Sequence, residues 1–109
     1  MKLFFQNLLI FFLFFSCAKP DLVLFEKEGI FLDDLKGKWI IYNYWADWCP
    51  PCIKEIPELN NLQLNFSEDL KVFLINFDML EGDELKKQLK KFNVQVDSLL
   101  IDPSKIYDW

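Results

Sequence analysis

The chain predicts an α/β fold built on a mostly parallel sheet flanked by helices. Three observations carry that expectation. An aromatic and β-branched run spans Trp39 to Trp45, a second apolar run spans Leu70 to Phe77, and a helical pattern follows each of them. Strand–helix–strand–helix order implies parallel neighbours joined by right-handed crossovers.

Trp39-Ile40-Ile41-Tyr42-Asn43-Tyr44-Trp45 has one polar residue in its interior and reads as a buried central strand. Ala46-Asp47-Trp48 is a short turn. A helix then begins near Cys49. Its apolar residues Ile53, Ile56, Leu59, Leu62 and Phe66 recur at spacings of three and four and share one face. Pro50 and Pro51 fit a first helical turn, where a backbone N–H has no intrahelical partner. Ser67-Glu68-Asp69 is a loop, and Leu70 to Phe77 is a buried strand broken only by Lys71 and Asn76.

Gly82-Asp83 opens a second helix, with Leu85, Leu89 and Phe92 along one side. Asp83 and Lys87 are spaced for a weak helical ion pair. Lys86, Lys87, Lys90 and Lys91 read as its solvated side. Val94 to Ile101 holds a short strand. Upstream, Leu22 to Phe25 is an edge strand, Ile30 to Leu32 its hairpin partner, and Asp33 to Lys38 a turn or a single helical turn. Trp39 is expected in the core or at a strand end.

The chemistry is concentrated in Trp48-Cys49-Pro50-Pro51-Cys52. The sequence has three cysteines and no histidine among 109 residues. Two thiols one helical turn apart can close a disulfide, which needs Cα atoms roughly 4.4–6.8 Å apart. The helix N-terminus favours a thiolate, the attacking species in disulfide exchange. Cys49 is therefore the nucleophile and Cys52 the resolving thiol. A structural zinc site usually needs four ligands, and only one further cysteine exists. A Cu(I)-binding dithiol remains as another class of reading. A peroxiredoxin-like reaction is set aside, because neither cysteine sits in a Pro-x-x-x-Thr-x-x-Cys setting.

The stretch from Tyr42 to Leu59 resembles the thioredoxin superfamily, in particular its TlpA/ResA-like branch. These are membrane-tethered thiol–disulfide oxidoreductases facing the bacterial periplasm. The shared pattern is Trp-Cys-Pro-Pro-Cys-x-x-Glu-x-Pro-x-Leu, met here by Trp48 to Leu59. The resemblance implies a thioredoxin-like domain over residues 22–109. It implies Cys49 and Cys52 as the redox pair and Trp48, Pro50 and Pro51 as the shield around it. It implies Pro57 as a helix-bending proline, and no cofactor. Asn43 stands where thioredoxin proper has a buried aspartate, so a carboxylate proton route is missing there. Glu55 matches a carboxylate near the thiols; it either assists proton transfer at Cys52 or is a solvated surface acid. Asp47 is expected to be exposed on the turn. The family's cis-proline, last hairpin and C-terminal helix are not recognisable. Pro103, in Asp102-Pro103-Ser104, reads as a turn into a short helix. The domain is therefore read as incomplete, and an inactive fragment stays among the alternatives.

Residues 1–17 read as an export leader: Lys2, then an apolar stretch from Leu3 to Phe15 interrupted by Gln6 and Asn7, then Ser16 before Cys17. Cys17 stands where bacterial lipoprotein signals place the lipid-modified cysteine. An uncleaved anchor and a plain signal or buried helix are the other readings. Residues 18–21 form a short tether. The net charge of −5 argues against a nucleic-acid partner, which wants a basic footprint. The expected partners are protein disulfides and dithiols, a membrane electron donor, and the membrane itself through the lipid or anchor. The expected activity is reduction of substrate disulfides in the cell envelope, for instance in cytochrome c maturation. A disulfide oxidant or isomerase using the same site is the alternative.

Overall fold

The computed structural model describes residues 18–108. Residues 1–17, on which the expected leader and Cys17 fall, and the terminal Trp109 lie outside the described residues. Three strands and two helices alternate: β1 (Trp39–Trp45), α1 (Pro50–Asn65), β2 (Leu70–Asn76), α2 (Gly82–Lys91) and β3 (Asp97–Leu99). The strands lie in the order β1-β2-β3, each pair parallel. Trp45 stands opposite Asn76, and Ile75 opposite Leu99. Successive strands are added in one direction by right-handed crossovers, so both helices pack on the same face.

β2 is the buried centre. Its side chains alternate between the two faces. Val72 and Leu74 join Trp45, Ile56, Leu85 and Val96 under the helices. Phe73 and Ile75 join Leu22, Leu24, Leu35 and Leu99 on the other side. No helix covers that second side among the described residues. It is closed by the segment 20–35, with a 3-10 turn at Leu32–Leu35, and by a second such turn at Pro103–Lys105. Pro20 already packs against Gly29 so closely that a β-carbon there would clash with its ring.

Several expectations are corrected. β1 is an edge strand of the described sheet, because nothing pairs on its outer side. Of the two places expected for Trp39, core or strand end, it takes the strand end, where it is 80% exposed. The expected hairpin of 22–25 with 30–32 shrinks to a single antiparallel bridge, Leu22 to Ile30. Leu24 instead bridges Leu99, so this segment continues the sheet beyond β3. Phe66, placed on the buried face of α1, is half exposed, whereas Asn60 is buried there. Asn60 donates to the Asn93 carbonyl and accepts from the Gln95 N–H, both at 2.9 Å. No Asp83–Lys87 pair forms among the described residues; Lys86 pairs with Glu26 at 3.2 Å instead.

One polar clamp holds the start of β3. Asp97 takes Lys27 at 2.5 Å and Lys71 at 2.6 Å, one on each carboxylate oxygen. Burial opposes its ionisation, but the two lysine hydrogen bonds prevail and hold the carboxyl below the usual range.

Candidate active site

The site forms at the carboxyl end of β1. The strand ends at Trp45, and the Cys49 N–H closes the turn on the Ala46 carbonyl at 3.1 Å. Cys49 is the N-cap of α1 with an extended backbone, and Pro50 and Pro51 fill the first two helical positions. Those prolines carry no N–H. Of the first three helical residues only Cys52 therefore offers a backbone donor toward the N-cap sulfur. The helix start acts on Cys49 through that one N–H and the helix dipole. The Ile53 N–H already bonds the Cys49 carbonyl at 3.1 Å. The two cysteines are joined as a disulfide with Cα atoms 5.3 Å apart, and both are half-buried. The helix runs on through Pro57.

A small cleft of about 90 Å³ opens beside the disulfide, lined by Tyr44, Trp45, Ala46, Trp48, Cys49, Cys52 and Phe77. Trp48 is 61% exposed, so it forms a wall of this cleft more than a lid over the sulfurs. Its indole N–H donates to Asp78 at 2.8 Å, and its ring meets Phe77 edge-to-face at 5.6 Å. On the other edge, the Tyr44 hydroxyl donates to Asp102 at 2.8 Å. Ser104 donates to the same oxygen through its backbone N–H and its hydroxyl. Burial of Asp102 works against its charge, yet the Ser104 and Tyr44 bonds keep its carboxyl below the ordinary value. Pro103 begins the short helical turn that the sequence suggested.

Glu55 is exposed and lies on a different wall. Its carboxylate accepts from the Asn43 amide at 3.4 Å, and both residues line an open groove with Glu58, Leu59 and Leu62. The structure thus brings Glu55 to Asn43 and leaves it out of the cleft lined by both cysteines. Asp47 is exposed on the turn. Among the described residues, no group of three or more His, Cys, Asp or Glu is placed to hold a metal ion.

Phe77, Asp78 and Tyr44 were not singled out from the sequence. A usable signal existed: ligands of open parallel sheets gather at the carboxyl ends of strands, and Phe77 directly follows β2. None of the helices of the described residues is long and apolar enough to cross a membrane.

Residues 18–106 match the AhpC/TSA family. The chain is 38% identical over 92 residues to the thioredoxin-like protein YneN of Bacillus subtilis, covering 80% of this chain and 53% of that protein. It is 38% identical over 80 residues to the thiol-disulfide oxidoreductase ResA of Bacillus cereus, covering 72% of this chain and 44% of that one. The chain thus spans about half the length of these relatives. The thioredoxin domain of a thiol-disulfide oxidoreductase from Bacteroides vulgatus superposes with a TM-score of 0.59 at 19% identity, covering 84% of this chain and 69% of that one. At that identity the match speaks for the fold, which is thioredoxin-like.

Proposed function

The chain belongs to the AhpC/TSA family, and from that premise we propose that it is a thiol–disulfide oxidoreductase of the bacterial cell envelope. The observation that carries this reading is the Cys49–Cys52 pair at the head of α1, beside an apolar cleft. The relatives named as thiol-disulfide oxidoreductases point the same way.

In the reducing direction, the Cys49 thiolate attacks one sulfur of a substrate disulfide. That bond breaks, one substrate sulfur leaves as a thiolate, and a mixed disulfide remains. Cys52 loses its proton and attacks Cys49, releasing the second substrate thiol and closing Cys49–Cys52. Two electrons pass to the substrate, and a membrane-held dithiol donor restores the pair. Glu55, held by the Asn43 amide, takes the Cys52 proton through solvent. Pro50 and Pro51 stiffen the turn, and Trp48 walls the site. Acylated Cys17 tethers the domain to the membrane. Cysteine pairs awaiting haem attachment are suitable substrates. No cofactor takes part.

The test is thiol trapping and redox titration of the full chain. Cys49→Ser is expected to abolish insulin reduction. Cys52→Ser is expected to accumulate mixed disulfides that dithiothreitol releases. Retention of activity by Cys49→Ser would overturn the reading. A reduction potential near or below about −270 mV supports the reducing direction, whereas one near −120 mV marks an oxidant. Cys17→Ser is expected to release the protein from membranes, and continued sedimentation with them would remove the lipid anchor.

A further inference from the structure

A groove of about 490 Å³ lies at the amino end of β3, whereas the cysteines follow the carboxyl end of β1. That volume falls within the span of small-molecule sites, roughly 300–1,000 Å³. Two left-handed residues open it. The Phe25 N–H donates to the Ser98 carbonyl at 2.9 Å, and Glu26 then takes a φ of 54° and leads its chain away from the sheet. On the opposite wall α2 ends, and Asn93 turns toward β3 with a φ of 52°. A glutamate rarely adopts such a φ. Both turns are held. Glu26 pairs with Lys86, the Val94 N–H donates to the Leu89 carbonyl at 2.9 Å, and Asn60 grips the Asn93 carbonyl and the Gln95 N–H from behind. A frame fixed in this way lowers the cost of ordering on binding.

The lining divides by chemistry. Phe25, Leu89, Val94 and Val96 form an apolar floor. The described residues at the rim include three lysines and two carboxylates. Lys27 is engaged by Asp97 and Lys86 by Glu26. Lys90 makes no ion pair or side-chain hydrogen bond among the described residues. The rim therefore holds one positive charge in surplus. Ser98 also lines the groove, is 5% exposed, and its hydroxyl finds no hydrogen-bond partner. Such unmet buried groups are few in native proteins.

We propose that this groove binds a small monoanion with an apolar body, namely a carboxylate on a hydrocarbon chain. The carboxylate pairs with the Lys90 ammonium, and the chain lies over Phe25, Leu89 and Val94. A dianion such as phosphate is disfavoured, because Glu26 and Asp97 stand on the same rim and repel the added charge. Two sources offer the favoured chemistry: a free aliphatic acid, and a peptide whose last residue is apolar. The groove shares no residue with the cleft beside the disulfide or with the groove at Glu55, so the inference stands apart from the dithiol reading.

The test titrates the isotope-labelled full chain with hexanoate at neutral pH and reads the backbone amide resonances. Saturable shifts are expected at Leu89, Lys90, Val94 and Val96. Lys90→Gln is expected to weaken hexanoate about fivefold, the upper range for one exposed ion pair. Lys87→Gln, on the same helix but outside this lining, is expected to stay within about twofold of the wild type. Hexan-1-ol, which lacks the charge, is expected to bind about fivefold more weakly, and inorganic phosphate to give no saturable shift in these amides. N-acetyl-leucyl-leucine is compared with hexanoate: tighter binding of the acid supports a free ligand, and tighter binding of the peptide supports a chain terminus, both within the proposal. Shifts that never saturate, or that fall on residues 1–17 and spare the groove, would overturn it. So would an alcohol that binds as well as the acid, phosphate that binds as well as hexanoate, or equal losses from Lys87→Gln and Lys90→Gln.

Discussion

The two faces of the sheet are closed by different means. On one, α1 and α2 lay regular apolar stripes over Val72 and Leu74. On the other, Phe73 and Ile75 are covered by irregular chain held in place by single polar latches. Asp21 accepts from the Leu32 N–H at 2.8 Å, and Tyr44 reaches Asp102 at 2.8 Å. Tyr42 stacks on Phe73 at 5.9 Å beneath this cover. Burial lifts the Tyr42 phenol above its ordinary pKa, with Tyr107 adding to the effect. A helix resists local collapse because its hydrogen bonds stand or fall together, whereas a latched strap can settle inward. The cost of a cavity depends on that ability to relax.

The largest expected effect is therefore on the helical side. Leu85→Ala is expected to cost about 3–5 kcal/mol and Leu24→Ala about 2–3 kcal/mol, measured by urea unfolding. Equal losses would show that the strap is as unyielding as the helices. Asp97→Asn comes next, at about 1.5–3 kcal/mol at neutral pH, the range for hydrogen bonds to charged groups. Because the folded carboxyl titrates below its unfolded value of about 3.9, its contribution is complete above that pH. It fades as the pH falls through the lower folded value, so mutant and wild type should converge in acid. A gap that persists there would assign the clamp's effect to packing instead of charge. The smallest expected effect is that of Tyr44→Phe, about 0.5–1.5 kcal/mol for one latch. Ser104 still holds Asp102 in that variant.

The helical half of the molecule was legible because its periodicity survives in the residues. The positions of β1, β2 and both helices follow from apolar spacing, and the helix start from Cys49-Pro50-Pro51. The strap side carries no period. Its order comes from contacts between residues far apart in the chain, such as Lys27 with Asp97, which no window of sequence displays. Within the site, the cysteine pair is announced by its spacing alone. The Trp48–Asp78 and Trp48–Phe77 contacts join positions about thirty residues apart and had only strand-end logic to foretell them. β1 reads as central from its composition and lies at the margin of the described sheet, because composition reports hydrophobicity, and an apolar strand reads alike in either place.

Asn60 has a bearing on how the redox helix behaves through a catalytic cycle. With its amide nitrogen and oxygen both engaged on the chain just before β3, any slide or roll of α1 would strand two polar atoms out of water. The helix is in effect riveted two turns below its sulfurs. Oxidation and reduction should then be felt as a change of chemistry at a stationary tip, and the Gln95 amide should keep the same solvent-exchange protection in both redox states.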